Sequence, residues 1–269
     1  MKFRNGREGI GDVLRRIYCR GLAFCVESVQ GFMALGQTSI KGIAMRGLVA
    51  GLVLWSACTP GGVELRPGDR IIFLGDSITE LGDQPDGFVA LVRDSLAARL
   101  PHLRLEVIAA GVTGNKVPDL QERLHRDVLA RNPDIVFVTI GVNDVWHSTQ
   151  SLGGTPPGRY QYGLTDITRR LTNAGARVVL CTPTVVGERI GGANDLDGLL
   201  DDYAAITREV AKARDVALLD LRKIFVEHLR THNPGNAEQG ILTTDGVHLS
   251  PEGNRLVAEA VLDALQAGG

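Results

Sequence analysis

The chain has 269 residues, is 44% apolar and carries a formal charge of −2, ordinary values for a globular protein with one sizeable core. The charge is uneven: seven Lys/Arg stand against three Asp/Glu in residues 1–44, so this segment is +4 and the remainder −6. An acidic main body without basic clusters argues against nucleic acid as the partner, and no apolar run reaches the roughly 20 residues of a membrane-spanning helix.

The first sixty-seven residues read differently from the rest. Residues 1–44 are expected to be an upstream extension, with Met1, Met33 and Met45 all available as starts. From Met45 the chain runs through a basic residue, an apolar stretch from Gly47 to Leu54, and then Ser56-Ala57-Cys58. That order is the layout of an export signal. Its end resembles the lipobox of bacterial lipoprotein signals, which implies lipidation of Cys58 and attachment to a membrane, although Trp55 stands where that motif prefers Leu. Residues 45–67 are therefore expected to be a lipoprotein signal plus a short linker, and the protein to be exported to the cell envelope or periplasm. A cytoplasmic location is the alternative. Cys181, inside the apolar run "ARVVLCTPT", is expected to be a buried structural thiol. No paired Cys/His spacing suggests a metal site.

From about residue 68 to 269, short apolar runs alternate with longer amphipathic ones. Strands are expected at Arg70–Leu74, Leu105–Ala109, Ile135–Ile140, Arg177–Cys181 and Ala217–Leu221. Helices are expected at Gly87–Leu100, Pro118–Arg131, Tyr160–Ala174, Leu199–Arg214 and Pro251–Gln266. In "PDLQERLHRDVLA" the apolar positions Leu120, Leu124 and Val128 recur at helical spacing. The strand runs are continuously apolar, as strands covered on both faces should be. Strand–helix alternation predicts one α/β domain with a parallel central sheet and helices on both sides. Ligands of such sheets bind beyond the carboxyl ends of the strands, so unusual polar residues should cluster just after each strand.

They do. Gly75-Asp76-Ser77 follows the first strand, "AGVTGNK" the second, "GVNDVWH" the third, and "TTDGVHLSPEGN" precedes the last helix. These loops supply a hydroxyl, exposed backbone amides, a carboxamide, and a carboxylate three residues before an imidazole. A serine hydroxyl needs a base to take its proton, and histidine suits that near neutral pH. The imidazole needs a carboxylate to hold its tautomer, and a developing oxyanion needs preorganised donors. Ser77, His248 and Asp245 fill the first three roles; the N–H groups of Ser77 and Gly114 and the side-chain amide of Asn143 could fill the last. Asp76, Asp144 and His147 are expected to support the site. His102, His125, His228 and His232 fall in or beside helical patterns and are expected to face solvent. Neither a G-x-S-x-G elbow nor a phosphate-binding glycine loop is present.

Four of these blocks, Gly75-Asp76-Ser77, the second glycine of "GVTG" (Gly114), Gly141-Val142-Asn143-Asp144 and Asp245-Gly246-Val247-His248, resemble those of the SGNH, or GDSL-type, esterases and lipases, and stand in the family's order. The resemblance covers roughly residues 68–266. One departure is Ala109-Ala110, where many members have Asn shortly before the second-block glycines. The resemblance implies a flavodoxin-like three-layer α/β/α sandwich and a serine ester hydrolase working through a Ser77 acyl-enzyme without cofactors. Two flanking stretches, "HSTQSLGGTPPGRY" and "VVGERIGGANDLDG", are polar and glycine-rich. Such walls suit a short acyl group on a hydrophilic alcohol, such as an O-acetylated sugar, better than a long chain. The alternatives are a lysophospholipase or thioesterase, and a non-catalytic carbohydrate-binding envelope lipoprotein on the same scaffold.

Overall fold

The computed structural model describes residues 62–265. The extension expected over residues 1–44, Cys58 and the signal segment up to residue 61 lie outside the described residues. Val63 packs into the core and its N–H donates to the Ala264 carbonyl at 2.8 Å, so ordered packing starts ahead of residue 68.

Five strands form one parallel sheet: β1 (Arg70–Gly75), β2 (Glu106–Gly111), β3 (Ile135–Thr139), β4 (Arg177–Cys181) and β5 (Ala217–Leu219). Their spatial order is β2-β1-β3-β4-β5. Continuous apolar composition makes β1, β3 and β4 the buried centre. Alternation within each strand then divides the core. Ile71 and Phe73 of β1, Ile135 and Phe137 of β3, and Val179 and Cys181 of β4 face one side. Ile72, Leu74, Val136, Val138, Val178 and Leu180 face the other. Phe73 and Phe137 stack across neighbouring strands with ring centroids 4.9 Å apart.

The second layer is α2 (Phe88–Arg99), α7 (Leu221–His232) and α8 (Pro251–Ala264), with α2 packed along α8. The third is α3 (Val117–Asp127), α5 (Pro157–Asn173) and α6 (Asp197–Arg214), where Leu120, Leu124, Leu164, Ile167 and Leu200 are fully buried or nearly so. Two short helices, α1 (Ser77–Gly82) and α4 (Val142–Trp146), begin directly beyond β1 and β3. This is the expected three-layer sandwich with a parallel sheet.

Helix α7 was absent from the expected elements. The strand expected to reach Leu221 stops at Leu219, because Asp220 turns the chain and caps a helix by accepting from Lys223 N–H at 3.2 Å. Leu221, Phe225 and Leu229, four residues apart, face the core.

The topology sets the place of the site. The connection out of β1 leads to β2 on one side of it, whereas β3 lies on the other, so the chain diverges at the carboxyl ends of β1 and β3 and leaves a crevice. Ser77 begins α1 beyond β1, and Asn143 lies in α4 beyond β3.

Candidate active site

Gly75 ends β1 because nothing larger fits there. A Cβ at this position would come within 2.6 Å of the Thr139 carbonyl oxygen and 2.1 Å of Thr79 Oγ1. Asp76 follows as the N-cap of α1, its Oδ1 accepting from Ile78 N–H at 3.0 Å. Ser77 is thereby held in the first turn, buried except for its approach to the crevice.

The partner arrives from the far end of the chain. His248 Nε2 lies 3.1 Å from Ser77 Oγ, across 171 residues of sequence. On the other side of the ring, Nδ1 lies 2.7 Å from Asp245 Oδ2. The other carboxylate oxygen accepts from the backbone N–H groups of Val247 at 3.0 Å and His248 at 2.8 Å. The three-residue offset thus closes a tight loop in which one carboxylate fixes both its own backbone and the ring. Burial acts to raise the Asp245 pKa, but these hydrogen bonds outweigh it and hold the carboxyl below the usual aspartate range. Asp245 stays ionised and sets Nδ1 as the protonated nitrogen, leaving Nε2 to accept from Ser77.

The loop after β2 is clamped on three sides. Glu80 of α1 accepts from both the N–H and the hydroxyl of Thr113 at 2.6 Å. Asn143 Nδ2 donates to the Asn115 carbonyl at 3.1 Å. Arg123, a buried guanidinium from α3, donates to Asn115 Oδ1 at 2.6 Å, to Ala110 O at 3.0 Å and to Gly75 O at 2.7 Å. One side chain therefore ties the ends of β1 and β2 to this loop. Between the clamps Gly114 has a φ of +76°, a conformation that a side chain disfavours, and open space lies beside it.

Glu188 performs the equivalent task for the histidine loop. Its carboxylate is fully buried and accepts from Ile241 N–H at 2.9 Å, Leu242 N–H at 2.7 Å, Thr243 N–H, and the Thr243 hydroxyl at 2.7 Å. Next to it, Gly187 N–H donates to Gly246 O at 2.8 Å. The loop after β4 is in this way fastened to the segment that carries Asp245 and His248.

Two further carboxyls sit behind the crevice. Burial, helped by the neighbouring charge of Asp144, pushes Asp76 up to about 7 against its hydrogen bond from Ile78. Burial likewise pushes Asp144 up to about 6, although Val117 N–H donates to its Oδ1 at 3.1 Å. Asp144 so caps the start of α3 from α4.

The expected site residues are not all joined by hydrogen bonds. Ser77, Asp245 and His248 form one hydrogen-bonded chain, and Asp76 and Asp144 lie behind it. His147 is buried in the 3-10 turn after α4, and among the described residues no hydrogen bond joins its ring to the other three. Burial and the nearby Lys116 lower its pKa. Of the remaining histidines, His102, His125 and His232 are exposed and His228 is half-buried. Sequence reasoning passed over Glu80, Arg123 and Glu188. A signal existed for Arg123, a charge at the margin of the Leu120–Leu124 stripe; Glu188 stands in a polar glycine-rich loop where nothing sets it apart.

Two expectations follow from these contacts. Glu188→Gln keeps the shape but not the fourfold acceptor, leaving buried donors unpaired. It should cost at least about 2 kcal/mol in urea denaturation. The second concerns pH. A buried Asp whose folded pKa lies near 7, against 3.8 when unfolded, favours the folded state in its protonated form. That stability is complete below about pH 4 and is lost as pH rises towards about 7. Asp76→Asn should therefore be more stable than the wild type at pH 8, with the gap closing on titration to pH 4 in parallel melting curves.

The chain is similar to several known esterases. A crystal structure of an acetyl xylan esterase, AlAXEase, superposes with a TM-score of 0.71 at 39% identity, covering 73% of this chain and 99% of that one. An acetylxylan esterase of Geobacillus stearothermophilus is 28% identical over 218 residues, 74% of this chain and 95% of the relative. Crystal structures of catalytic mutants of Axe2, an acetylxylan esterase from that organism, have a TM-score of 0.67 at 27% identity, covering 75% of this chain and 95% of theirs; they replace a serine, an aspartate and a histidine by alanine. YqeF, an uncharacterized lipoprotein of Bacillus subtilis, is 27% identical over 180 residues, 59% of this chain and 73% of the relative. Residues 73–256, more than half of the sequence and every block of the site from Asp76 to His248, match the model of one family. The chain belongs to the GDSL-like lipase/acylhydrolase family.

Proposed function

We propose that this serine ester hydrolase removes short acyl groups, acetyl above all, from a carbohydrate, through an acyl-enzyme on Ser77. The observation that carries the proposal is the unbroken hydrogen-bonded chain from Ser77 Oγ through His248 to Asp245. The acetylxylan esterases among its relatives point to the acyl group and to the class of alcohol.

In this mechanism His248 Nε2 takes the Ser77 proton as Oγ attacks the ester carbonyl. Negative charge moves to the carbonyl oxygen, which accepts from the N–H groups of Ser77 and Gly114 and from the N–H of Asn143 Nδ2 that Asn115 does not use. The tetrahedral species collapses as His248 returns the proton to the leaving sugar oxygen. Acetyl-Ser77 remains. Water then attacks, His248 again serving as base, and acetate departs with the hydroxyl of Ser77 restored. Every step is proton or acyl transfer within these side chains, so no cofactor is invoked. Asp245, held ionised, stabilises the imidazolium that forms twice per cycle.

Ser77→Ala should lower turnover of 4-nitrophenyl acetate by on the order of 10⁴-fold or more and abolish labelling by a fluorophosphonate. Asn143→Ala should lose about 10²–10³ in kcat. Retained activity in Ser77→Ala would refute the assignment. A strong preference for decanoyl over acetyl esters would replace the acetylesterase with a longer-chain acylhydrolase.

We also propose export and lipid anchoring through Cys58. The basic, apolar and small-residue order from Arg46 to Cys58 supports it, and so does the similarity to a lipoprotein. Mass spectrometry of the protein from its native host should find a lipidated Cys58 at the amino terminus. An unlipidated product that retains earlier residues would overturn the anchor in favour of a cytoplasmic enzyme.

A further inference from the structure

Beside the Ser77–His248–Asp245 chain lies a cavity of about 340 Å³, within the range of small-molecule sites. Asp245, Gly246 and Val247 form one wall, Trp146 at the end of α4 another, and Arg189 with Glu238 its rim. The geometry points to this cavity as the subsite for the sugar that leaves, specific for a neutral pyranose, with Trp146 and the Arg189–Glu238 pair as its specificity-determining residues. This assignment rests on the ester-hydrolase reading above.

Direction is the first argument. The proton on His248 must reach the leaving oxygen, so the departing alcohol lies on the histidine side of the scissile carbonyl. The carbonyl oxygen lies on the other side, towards Gly114 and Asn143. The cavity opens against the loop that carries His248, through Asp245, Gly246 and Val247; Ser77, Gly114 and His248 themselves do not line it, so it lies beyond the reacting atoms on the side of the histidine loop. It is placed for the alcohol, not for the acyl group.

Chemistry is the second. A pyranose presents C–H faces and a girdle of hydroxyls. Trp146 is half-buried and offers a flat apolar surface for the first. For the second, Arg189 and Glu238 are joined at 2.8 Å and remain largely exposed, so together they hold both charged donors and charged acceptors at the rim.

Charge is the third. The cavity is lined by one cation, Arg189, and three carboxylates, Asp195, Glu238 and Asp245, of which Asp195 has no ion-pair partner among the described residues. A carboxylate on the sugar would sit within a Debye length of these groups and be repelled.

The wall is also preorganised. Gly187 and Glu188 bind it to the catalytic loop, Arg189 N–H donates to Asn194 Oδ1 at 3.1 Å, and Ile190 N–H donates to Asn236 Oδ1 at 2.8 Å. A sugar entering it meets a surface already formed, which lowers the ordering cost of binding.

The test uses the full-length protein with acetylated xylotriose, acetylated oligogalacturonide and 4-nitrophenyl acetate. For Trp146→Ala, and separately for Arg189→Ala with Glu238→Ala, kcat/KM on acetylated xylotriose should fall about tenfold further than on 4-nitrophenyl acetate. The wild type should favour the neutral oligosaccharide over the oligogalacturonide. In calorimetry, Ser77→Ala should bind xylotriose, and adding either set of wall substitutions should weaken that binding about tenfold. Equal losses on both esters in both variants, or equal turnover of the two oligosaccharides, would overturn the subsite. Cleavage of 4-nitrophenyl acetate with no xylotriose binding would overturn the subsite and keep the hydrolase; xylotriose binding without cleavage of any ester would do the reverse.

Discussion

The contact between His248 Nε2 and Ser77 Oγ is the constraint around which the rest of the molecule is arranged. Its partners come from opposite ends of the domain, one from the turn after β1 and one from the loop before α8. Neither loop determines the distance by itself. Ser77 is placed by a glycine that lets α1 lie against β3 and by an aspartate that caps the helix. His248 is placed by Asp245, which holds both the ring and the backbone of its own loop. A 3.1 Å contact between such remote segments requires each to be fastened to the sheet independently, since a shift of about 1 Å disrupts a productive geometry.

Two buried ionic side chains provide that fastening. Arg123 reaches the ends of β1 and β2 and the loop of Gly114, so the nucleophile and the backbone donors of the proposed oxyanion site share one anchor. Glu188 binds the loop after β4 to the histidine loop through four hydrogen bonds. A charge buried among full complements of partners is costly to disturb, because removing either side leaves polar groups unpaired. The segments that carry the site are consequently fastened where its geometry matters.

Asp76 and Asp144 show the opposite compromise. Both are carried into the interior beside the crevice, and burial raises both towards neutrality. Each also caps a helix start, α1 or α3, where an acceptor is needed for N–H groups that no helix can satisfy internally. The capping role is local and structural, while the titration links stability to pH in the range where an esterase works. Stability is yielded at the place where the nucleophile is presented.

The sequence by itself determined the fold class and the identity of the residues that meet. Continuous apolar strands can be buried only in a covered parallel sheet, and that sheet sends the residues after its strands to one edge. Ser77, Asp245 and His248, which the structure joins by hydrogen bonds, were legible for that reason, each being a chemically unusual residue at a strand end or helix start. What lay beyond one-dimensional pattern was decided by packing. Helix α7 was missed although Leu221, Phe225 and Leu229 have helical spacing, because a run of strand-like residues leads into it and only the Asp220 cap marks the change. His147 is buried in the turn after α4, its ring centroid 5.9 Å from that of Trp146, a contact between sequence neighbours that the turn rather than any pattern produces. Glu188 gained its importance from partners 53 to 55 residues away, and Arg123, a charge beside an apolar stripe, from joining Asn115 and Ala110 to Gly75, 48 residues away; no local signal encodes such distant partners. Periodicity and motif order act over a few residues, so they record which groups are available; the distances between those groups arise only when the sheet brings remote loops to a common rim.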